Sequence, residues 1–161
     1  KMKISIFGLG YVGAVSLACL ARDGHDVIGV DVDASKLVMI AEGRTPVVEE
    51  GLVQLMRQVA ESGRVRVTQS AHDALLASEL SLISVGTPSA PNGSQDQAAI
   101  VRLAHELGRS LRNKPERHVL VFRSTLVGQS FHFCSFATVA CSWDFAFRYS
   151  SPFSFHTGSH N

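Results

Sequence analysis

Hydrophobic and polar positions along the first 125 residues form two kinds of segment. Short, mostly apolar runs predict β-strands over residues 3–7, 27–30, 65–67, 80–85 and 118–123. Stretches with apolar positions at helical spacing predict helices over residues 11–23, 35–42, 49–62, 71–78 and 97–112. The chain is therefore predicted to alternate strands with helices.

The predicted strands are apolar on both faces, which is typical of a parallel sheet covered by helices on both sides. Right-handed crossovers between such strands favour a doubly wound topology. We therefore predict an α/β fold, a doubly wound (Rossmann-type) parallel sheet with strand order 3-2-1-4-5.

The composition of the chain changes near Gly128. Residues 129–161 hold seven of the nine Phe and seven Ser, but no Leu, Ile, Met, Lys or Glu. We predict one domain over residues 1–128 and an atypical Phe/Ser-rich tail over residues 129–161. The structure of the tail stays open at this point, and its abrupt start is typical of a shifted reading frame or a spurious join.

Charge and hydropathy exclude several classes of function. The formal net charge of +1 provides no clustered basic face for nucleic acid. No apolar run approaches the roughly 20 residues of a membrane span, and no secretory signal opens the sequence. The three cysteines are too few for a disulfide scaffold, so a cytoplasmic location is expected.

The cysteines also give no strong indication of a metal site or a nucleophile. Cys134, Cys141, His156 and His160 follow the order of a two-Cys, two-His zinc site, but their spacings are poor, so no metal is expected. Cys19 lies on the apolar side of the first predicted helix, and we expect it to be a buried structural residue.

A glycine pattern follows the first predicted strand and opens the first helix. Gly8, Gly10 and Gly13 have the spacing G-x-G-x-x-G, which permits a tight turn, close approach of a pyrophosphate and close helix–strand packing. Asp31 ends the second strand, where a carboxylate accepts hydrogen bonds from ribose hydroxyls. Val32 follows it rather than Arg, which favours NAD over NADP. The alternative is a glycine-rich turn beside a solvated Asp.

Two further polar pairs follow predicted strands, Gly86-Thr87 after the fourth and Ser124-Thr125 after the fifth. The carboxyl ends of parallel strands meet at one edge of the sheet, where ligands bind in open α/β folds. Ligand contact is one interpretation of these pairs, and ordinary turn chemistry is the other.

Residues 2–125 resemble the nucleotide-binding part of the UDP-glucose and GDP-mannose dehydrogenase family. The resemblance rests on the following segments: G-L-G-Y-V-G at 8–13, V-D at 30–31, P-V-V-E at 46–49 with G-L at 51–52, V-G-T-P at 85–88 with P-N-G at 91–93, and R-S-T at 123–125. Val48 and the stretch 116–125 look more like the GDP-mannose branch than the UDP-glucose branch.

The resemblance implies oxidation of the C6 alcohol of a nucleotide sugar, GDP-mannose or UDP-glucose, to a carboxylate in two NAD-dependent steps. It implies NAD contacts at the motif glycines (Gly8, Gly10, Gly13) and at Tyr11, Val12, Asp31, Lys36, Thr87 and Thr125. For Lys36, a solvated helix lysine is the alternative. A homo-oligomer is expected of the full-length enzyme.

The resemblance also implies that the nucleotide-binding fold is truncated here. In the family, the catalytic cysteine and the sugar contacts lie beyond the segment equivalent to Thr125, so no catalytic residue is assigned to this chain. We expect the chain alone to oxidise no sugar. The alternatives are a non-catalytic NAD-binding module or pseudogene product, and a sugar epimerase or reductase on the same fold.

Overall fold

A computed structural model describes residues 1–86 and 98–123, together with the backbone of residues 138–141. The strands are β1 (Lys3–Phe7), β2 (Asp26–Val30), β3 (Val65–Thr68), β4 (Leu80–Ile83), β5 (His118–Phe122) and β6 (Thr138–Cys141). The helices are α1 (Tyr11–Arg22), α2 (Ala34–Ala41), α3 (Leu52–Glu61), α4 (Ala71–Leu76) and α5 (Ala98–Leu111).

The strands form one sheet in the order β3-β2-β1-β4-β5-β6. The first five run parallel, which confirms the predicted order 3-2-1-4-5. β6 pairs antiparallel with β5. It lies in the tail, for which the sequence pattern made no structural prediction. The division into a domain over 1–128 and a tail over 129–161 stays a prediction.

The central register brings three strand ends together. Phe7, the last residue of β1, pairs with Val30 of β2 and with Ile83 of β4. The strand order reverses between β1 and β4, because one half of the sheet is built outward from each of them. The segments that follow Phe7, Val30 and Ile83 therefore share the edge at which doubly wound sheets bind ligands.

Apolar side chains fill both faces of the sheet, as the prediction required. One cluster joins the sheet to α1, α2 and α3, and includes Ile6, Leu17, Ile40 and Met56. The other joins the opposite face to α4 and α5, and includes Phe7, Leu75, Ile83 and Leu107. Within the described residues, helices therefore cover both faces of the sheet.

Several element boundaries differ from the sequence prediction. α3 begins at Leu52 rather than at residue 49, because Gly51 adopts a left-handed conformation with φ of 76° that no helix continues. β4 ends at Ile83 rather than at residue 85. Cys19, expected in the core, is only half-buried.

A polar network lies buried at the amino-terminal half of β1, β4 and β5. The Oγ of Ser5 lies 2.9 Å from that of Ser78 and 2.6 Å from that of Ser81. Ser81 Oγ lies 2.7 Å from His118 Nε2, and His118 Nδ1 lies 3.1 Å from the Ser78 carbonyl oxygen. Lys114 donates to the carbonyls of residues 75, 76 and 78. This ammonium therefore binds carbonyls at and just beyond the end of α4.

Candidate functional site

The turn between β1 and α1 needs glycine for steric reasons at two positions. Gly8 has a φ of 89°, a conformation that side chains disfavour, and a Cβ there would lie 2.9 Å from backbone atoms of Ser84 and Val85. A Cβ on Gly13 would lie 1.9 Å from the Gly8 carbonyl oxygen. The helix therefore approaches the turn as closely as a backbone without side chains allows.

Gly10 differs from its two neighbours in the motif. A Cβ there would meet no atom within 4 Å, and the backbone φ of −72° is open to any residue. Packing within the described residues does not explain a glycine at this position. An open space beside the start of α1 does fit a bound pyrophosphate, since the helix N-terminus presents N–H groups and a positive dipole end.

The Gly8–Leu9 peptide is held from both ends. The Leu9 N–H donates to Asp31 Oδ2 at 2.7 Å, and the Gly8 carbonyl oxygen accepts from Ser84 Oγ at 2.9 Å. The Gly8 N–H donates to the Val30 carbonyl at 2.8 Å. The turn is thus fixed by groups that follow both strands flanking β1.

Asp31 is the most constrained charged residue of the turn. Its residue surface is only 9% exposed, its Oδ1 accepts from the Asp33 N–H at 2.9 Å, and Lys36 Nζ lies 3.5 Å from its Oδ2. A carboxylate offers about four acceptor sites, so hydrogen bonds to ribose hydroxyls remain possible beside these contacts. Val32 is 92% exposed and approaches none of this network.

Tyr11 and Val12 open α1 with partly exposed side chains. The Tyr11 hydroxyl donates to the Glu49 carboxylate, and this hydrogen bond raises the pKa of Tyr11 above its ordinary value. Within the described ranges, no side chain caps the N-terminus of α1. The glycine motif, Tyr11 and Val12 therefore surround a helix end that is available to an anion.

Of the predicted site residues, the structure brings together the three glycines, Asp31 and Lys36. Thr87 and Thr125 lie outside the described residues, so their contacts stay predictions. Sequence reasoning missed Ser84 and the Tyr11–Glu49 bond. The predicted strand over residues 80–85 included Ser84, so no sequence signal marked the first. Nothing local in the sequence indicated the second.

Residues 1–86 and 98–123 contain neither a cluster of metal ligands nor a membrane-spanning helix. No group of three or more His, Cys, Asp or Glu is placed to hold a metal ion there. No helix in this part is long and apolar enough to cross a bilayer.

Comparison with known proteins identifies the family of this chain. Residues 2–139 match the model of the UDP-glucose/GDP-mannose dehydrogenase family, NAD binding domain. The chain belongs to this family. The matched part is the NAD-binding domain of the family, so the cofactor is NAD. The open space at Gly10, the uncapped end of α1 and the Asp31 carboxylate fit that nucleotide.

Individual members of the UDP-glucose/GDP-mannose dehydrogenase family are similar over most of the chain. The GDP-mannose 6-dehydrogenase of Azotobacter vinelandii is 47% identical over 131 residues, which is 81% of this chain and 30% of the relative. A crystal structure of a ternary complex of the Pseudomonas aeruginosa GDP-mannose dehydrogenase is 48% identical, with a TM-score of 0.76, over 78% of this chain and 29% of that one. A UDP-glucose dehydrogenase structure from Pyrobaculum islandicum is 38% identical, with a TM-score of 0.73, over the same shares. The chain thus spans about 30% of the length of the curated relatives.

Proposed function

We propose that this chain is the NAD-binding part of an enzyme that oxidises the C6 alcohol of a nucleotide sugar to a carboxylate. The observation that carries the proposal is the glycine turn beside Asp31, in a domain that matches a family of nucleotide-sugar dehydrogenases. The enzyme would act in the cytoplasm, in polysaccharide biosynthesis, and as a homo-oligomer. Its catalytic groups and sugar contacts would lie outside this chain.

Each residue of the turn has a defined task in this proposal. The backbone at Gly8, Gly10 and Gly13, with the first residues of α1, holds the pyrophosphate. The Asp31 carboxylate accepts from the adenosine ribose hydroxyls. Further NAD contacts are proposed for Tyr11, Val12, Lys36, Thr87 and Thr125. When bound, NAD supplies the hydride acceptor for each oxidation step.

GDP-mannose is the substrate that the similarities favour. Identity reaches 47–48% with GDP-mannose dehydrogenases and 38% with the UDP-glucose dehydrogenase structure. Val48, whose side chain is fully exposed, differs from the Tyr that the UDP-glucose branch often has at this place. UDP-glucose is the alternative sugar.

Calorimetric titration of the purified chain with NAD tests the cofactor part of the proposal. The wild-type chain should bind NAD, and Gly10→Ala should weaken binding without lowering the melting temperature, because its methyl group fills only the space assigned to the pyrophosphate. Gly108→Ala is the matched control, since a Cβ there also meets open space, but on α5 far from the turn. Equal affinities in all three proteins would contradict the placement of the pyrophosphate.

The oxidation itself is tested in the longest natural protein that carries this sequence. NADH formation would be followed by absorbance with GDP-mannose and with UDP-glucose in parallel. Turnover with GDP-mannose supports the proposal. Turnover with UDP-glucose alone would show that UDP-glucose, not GDP-mannose, is the substrate. NAD binding without turnover on either sugar would favour a non-catalytic NAD-binding module.

A further inference from the structure

We propose that Ser84 is a positioning residue of the NAD site, because its hydroxyl holds the Gly8–Leu9 peptide in the one orientation that directs the Leu9 N–H to Asp31. The inference rests on the proposed NAD-binding role of the turn. It adds a residue that neither the glycine motif nor the acidic position at β2 includes.

The geometry of a single peptide unit carries the argument. In a trans peptide, the carbonyl oxygen and the N–H point in opposite directions. The carbonyl of the Gly8–Leu9 unit accepts from Ser84 Oγ at 2.9 Å, and its N–H donates to Asp31 Oδ2 at 2.7 Å. Ser84 follows β4 and Asp31 follows β2, so the two flanking strands hold opposite ends of one peptide.

The backbone of Ser84 is itself anchored. Its N–H donates to the Phe7 carbonyl at 2.8 Å and continues the pairing of β4 with β1. Its Oγ also lies 3.2 Å from that carbonyl, so the hydroxyl bridges two consecutive carbonyl oxygens, of Phe7 and Gly8. The half-buried serine is therefore a fixed donor at the base of the turn.

The turn needs such a donor because Gly8 imposes little restraint of its own. Rotation of the Gly8–Leu9 peptide changes ψ of Gly8 and φ of Leu9, and a residue without a Cβ restricts its own rotation least, so external contacts must hold this peptide. A rotated peptide would point its carbonyl oxygen at the Asp31 carboxylate and withdraw the N–H from it. It would also remove the Gly8 oxygen from its contact with Gly13, which sets how closely α1 approaches. The ribose acceptor and the helix N-terminus would then both move.

Ser84→Ala tests this role in the purified chain. We expect NAD affinity to fall about fivefold, the equivalent of one net hydrogen bond. Ser84→Thr, which keeps the hydroxyl, should restore most of the affinity. Ser62→Ala is the matched control, because it removes a 2.6 Å bond from a serine hydroxyl to the Val59 carbonyl at the far end of α3. That control should leave NAD affinity unchanged.

Hydrogen exchange of the Leu9 amide, measured by NMR, distinguishes this role from general destabilisation. General destabilisation would accelerate exchange at many amides rather than at Leu9 alone. Exchange at Leu9 should accelerate in Ser84→Ala but not in Ser62→Ala. The effects of Ser84→Ala and Asp31→Ala on NAD affinity should also be non-additive, because both remove a hydrogen bond to the same peptide.

The outcomes separate the inference from the proposed function. A wild-type chain that does not bind NAD overturns the proposed cofactor role itself. A wild-type chain that binds NAD, with unchanged affinity and unchanged Leu9 exchange in Ser84→Ala, overturns the inference alone. An equal loss of affinity in Ser84→Ala and Ser62→Ala would also overturn it, because the loss would then reflect general destabilisation.

Discussion

The Lys36 ammonium lies 3.5 Å from the Asp31 carboxylate at the end of β2. Lys36 is about one third exposed, whereas the Asp31 side chain is almost fully buried. The site assigned to the adenosine ribose therefore carries both a carboxylate that repels a 2′-phosphate and a cation that would attract one. The Asp31 carboxylate lies against the turn itself, because it also accepts a hydrogen bond from the Leu9 N–H.

This pair predicts a change of cofactor preference. Asp31→Asn removes the negative charge, leaves Lys36 unpaired and keeps a side-chain oxygen for the Leu9 N–H. We expect the ratio of NADP to NAD affinity to rise about tenfold, which corresponds to about 1.4 kcal/mol of differential binding. Addition of Val32→Arg should raise it further, because that exposed position has room for a guanidinium. Calorimetric titration with both nucleotides measures the ratio.

Two further variants control this experiment. Asp31→Asn combined with Lys36→Met should lose the gain in NADP affinity. Asp26→Asn removes a carboxylate that pairs with Lys1 at the opposite end of β2, and it should leave the ratio unchanged. A gain that persists without Lys36 would show that loss of repulsion alone explains it.

Gly13→Ala is expected to disrupt the turn. Its methyl carbon would lie 1.9 Å from the Gly8 carbonyl oxygen, so α1 must move away from the sheet. We expect a loss of about 2–3 kcal/mol in the free energy of unfolding, together with loss of NAD binding. Chemical denaturation and NAD titration measure the two effects. Gly108→Ala, in open space on α5, should instead increase stability slightly. Wild-type stability in Gly13→Ala would contradict the close approach.

His118 makes stability depend on pH. Burial, and next the charge of Lys114, lower the pKa of His118 from 6.5 to about 4. The unfolded chain therefore binds more protons between about pH 6.5 and pH 4, and stability falls as the pH falls through that window. The loss should approach about 3 kcal/mol at pH 4 and then level off. Denaturation at a series of pH values measures it.

The hydrogen bonds around His118 select one tautomer of its neutral form. The Ser78 carbonyl only accepts, so Nδ1 carries the proton and Nε2 accepts from the Ser81 hydroxyl. His118→Gln should flatten stability between pH 6.5 and pH 4, whereas His72→Gln, at an exposed histidine, should retain the slope. A slope unaffected by His118→Gln would assign the pH dependence to other groups.

Lys114 is expected to stabilise the end of α4 and to depress the pKa of His118. Its buried ammonium binds three carbonyls, of Leu75, Leu76 and Ser78, and burial lowers its own pKa. Lys114→Met should cost about 1–3 kcal/mol, because the Leu76 carbonyl loses this donor while the carbonyls of Leu75 and Ser78 keep the Ser78 N–H and His118 Nδ1, and it should raise the pKa of His118. Denaturation and an NMR titration of the imidazole measure the two effects. Arg112→Met, at an exposed cation nearby, should change neither.

The strands, the helices and the glycine turn could be predicted because their signals are local, and the strand order then followed from the general rules for doubly wound sheets. Hydrophobic periodicity within each element, and glycine spacing at one strand end, follow from the conformation of short stretches of backbone. Helix ends were less predictable. Gly51 sets the start of α3, and the carbonyl of Leu76 at the end of α4 is bound by Lys114 from 38 residues away.

The sequence by itself determined the α/β class, the position of the glycine turn and Asp31 as the acidic residue beside it. Only the tertiary structure decided how these groups are held. Ser84 reaches the Gly8 carbonyl across 76 residues of chain, and Ser5 reaches Ser81 across the same separation. In the sequence, each is a polar residue at or near a mostly apolar run, with no pattern that names its partner. The register of β1 against β4 brings them together, because hydrogen-bond partners are chosen by the alignment of neighbouring strands rather than by distance along the chain.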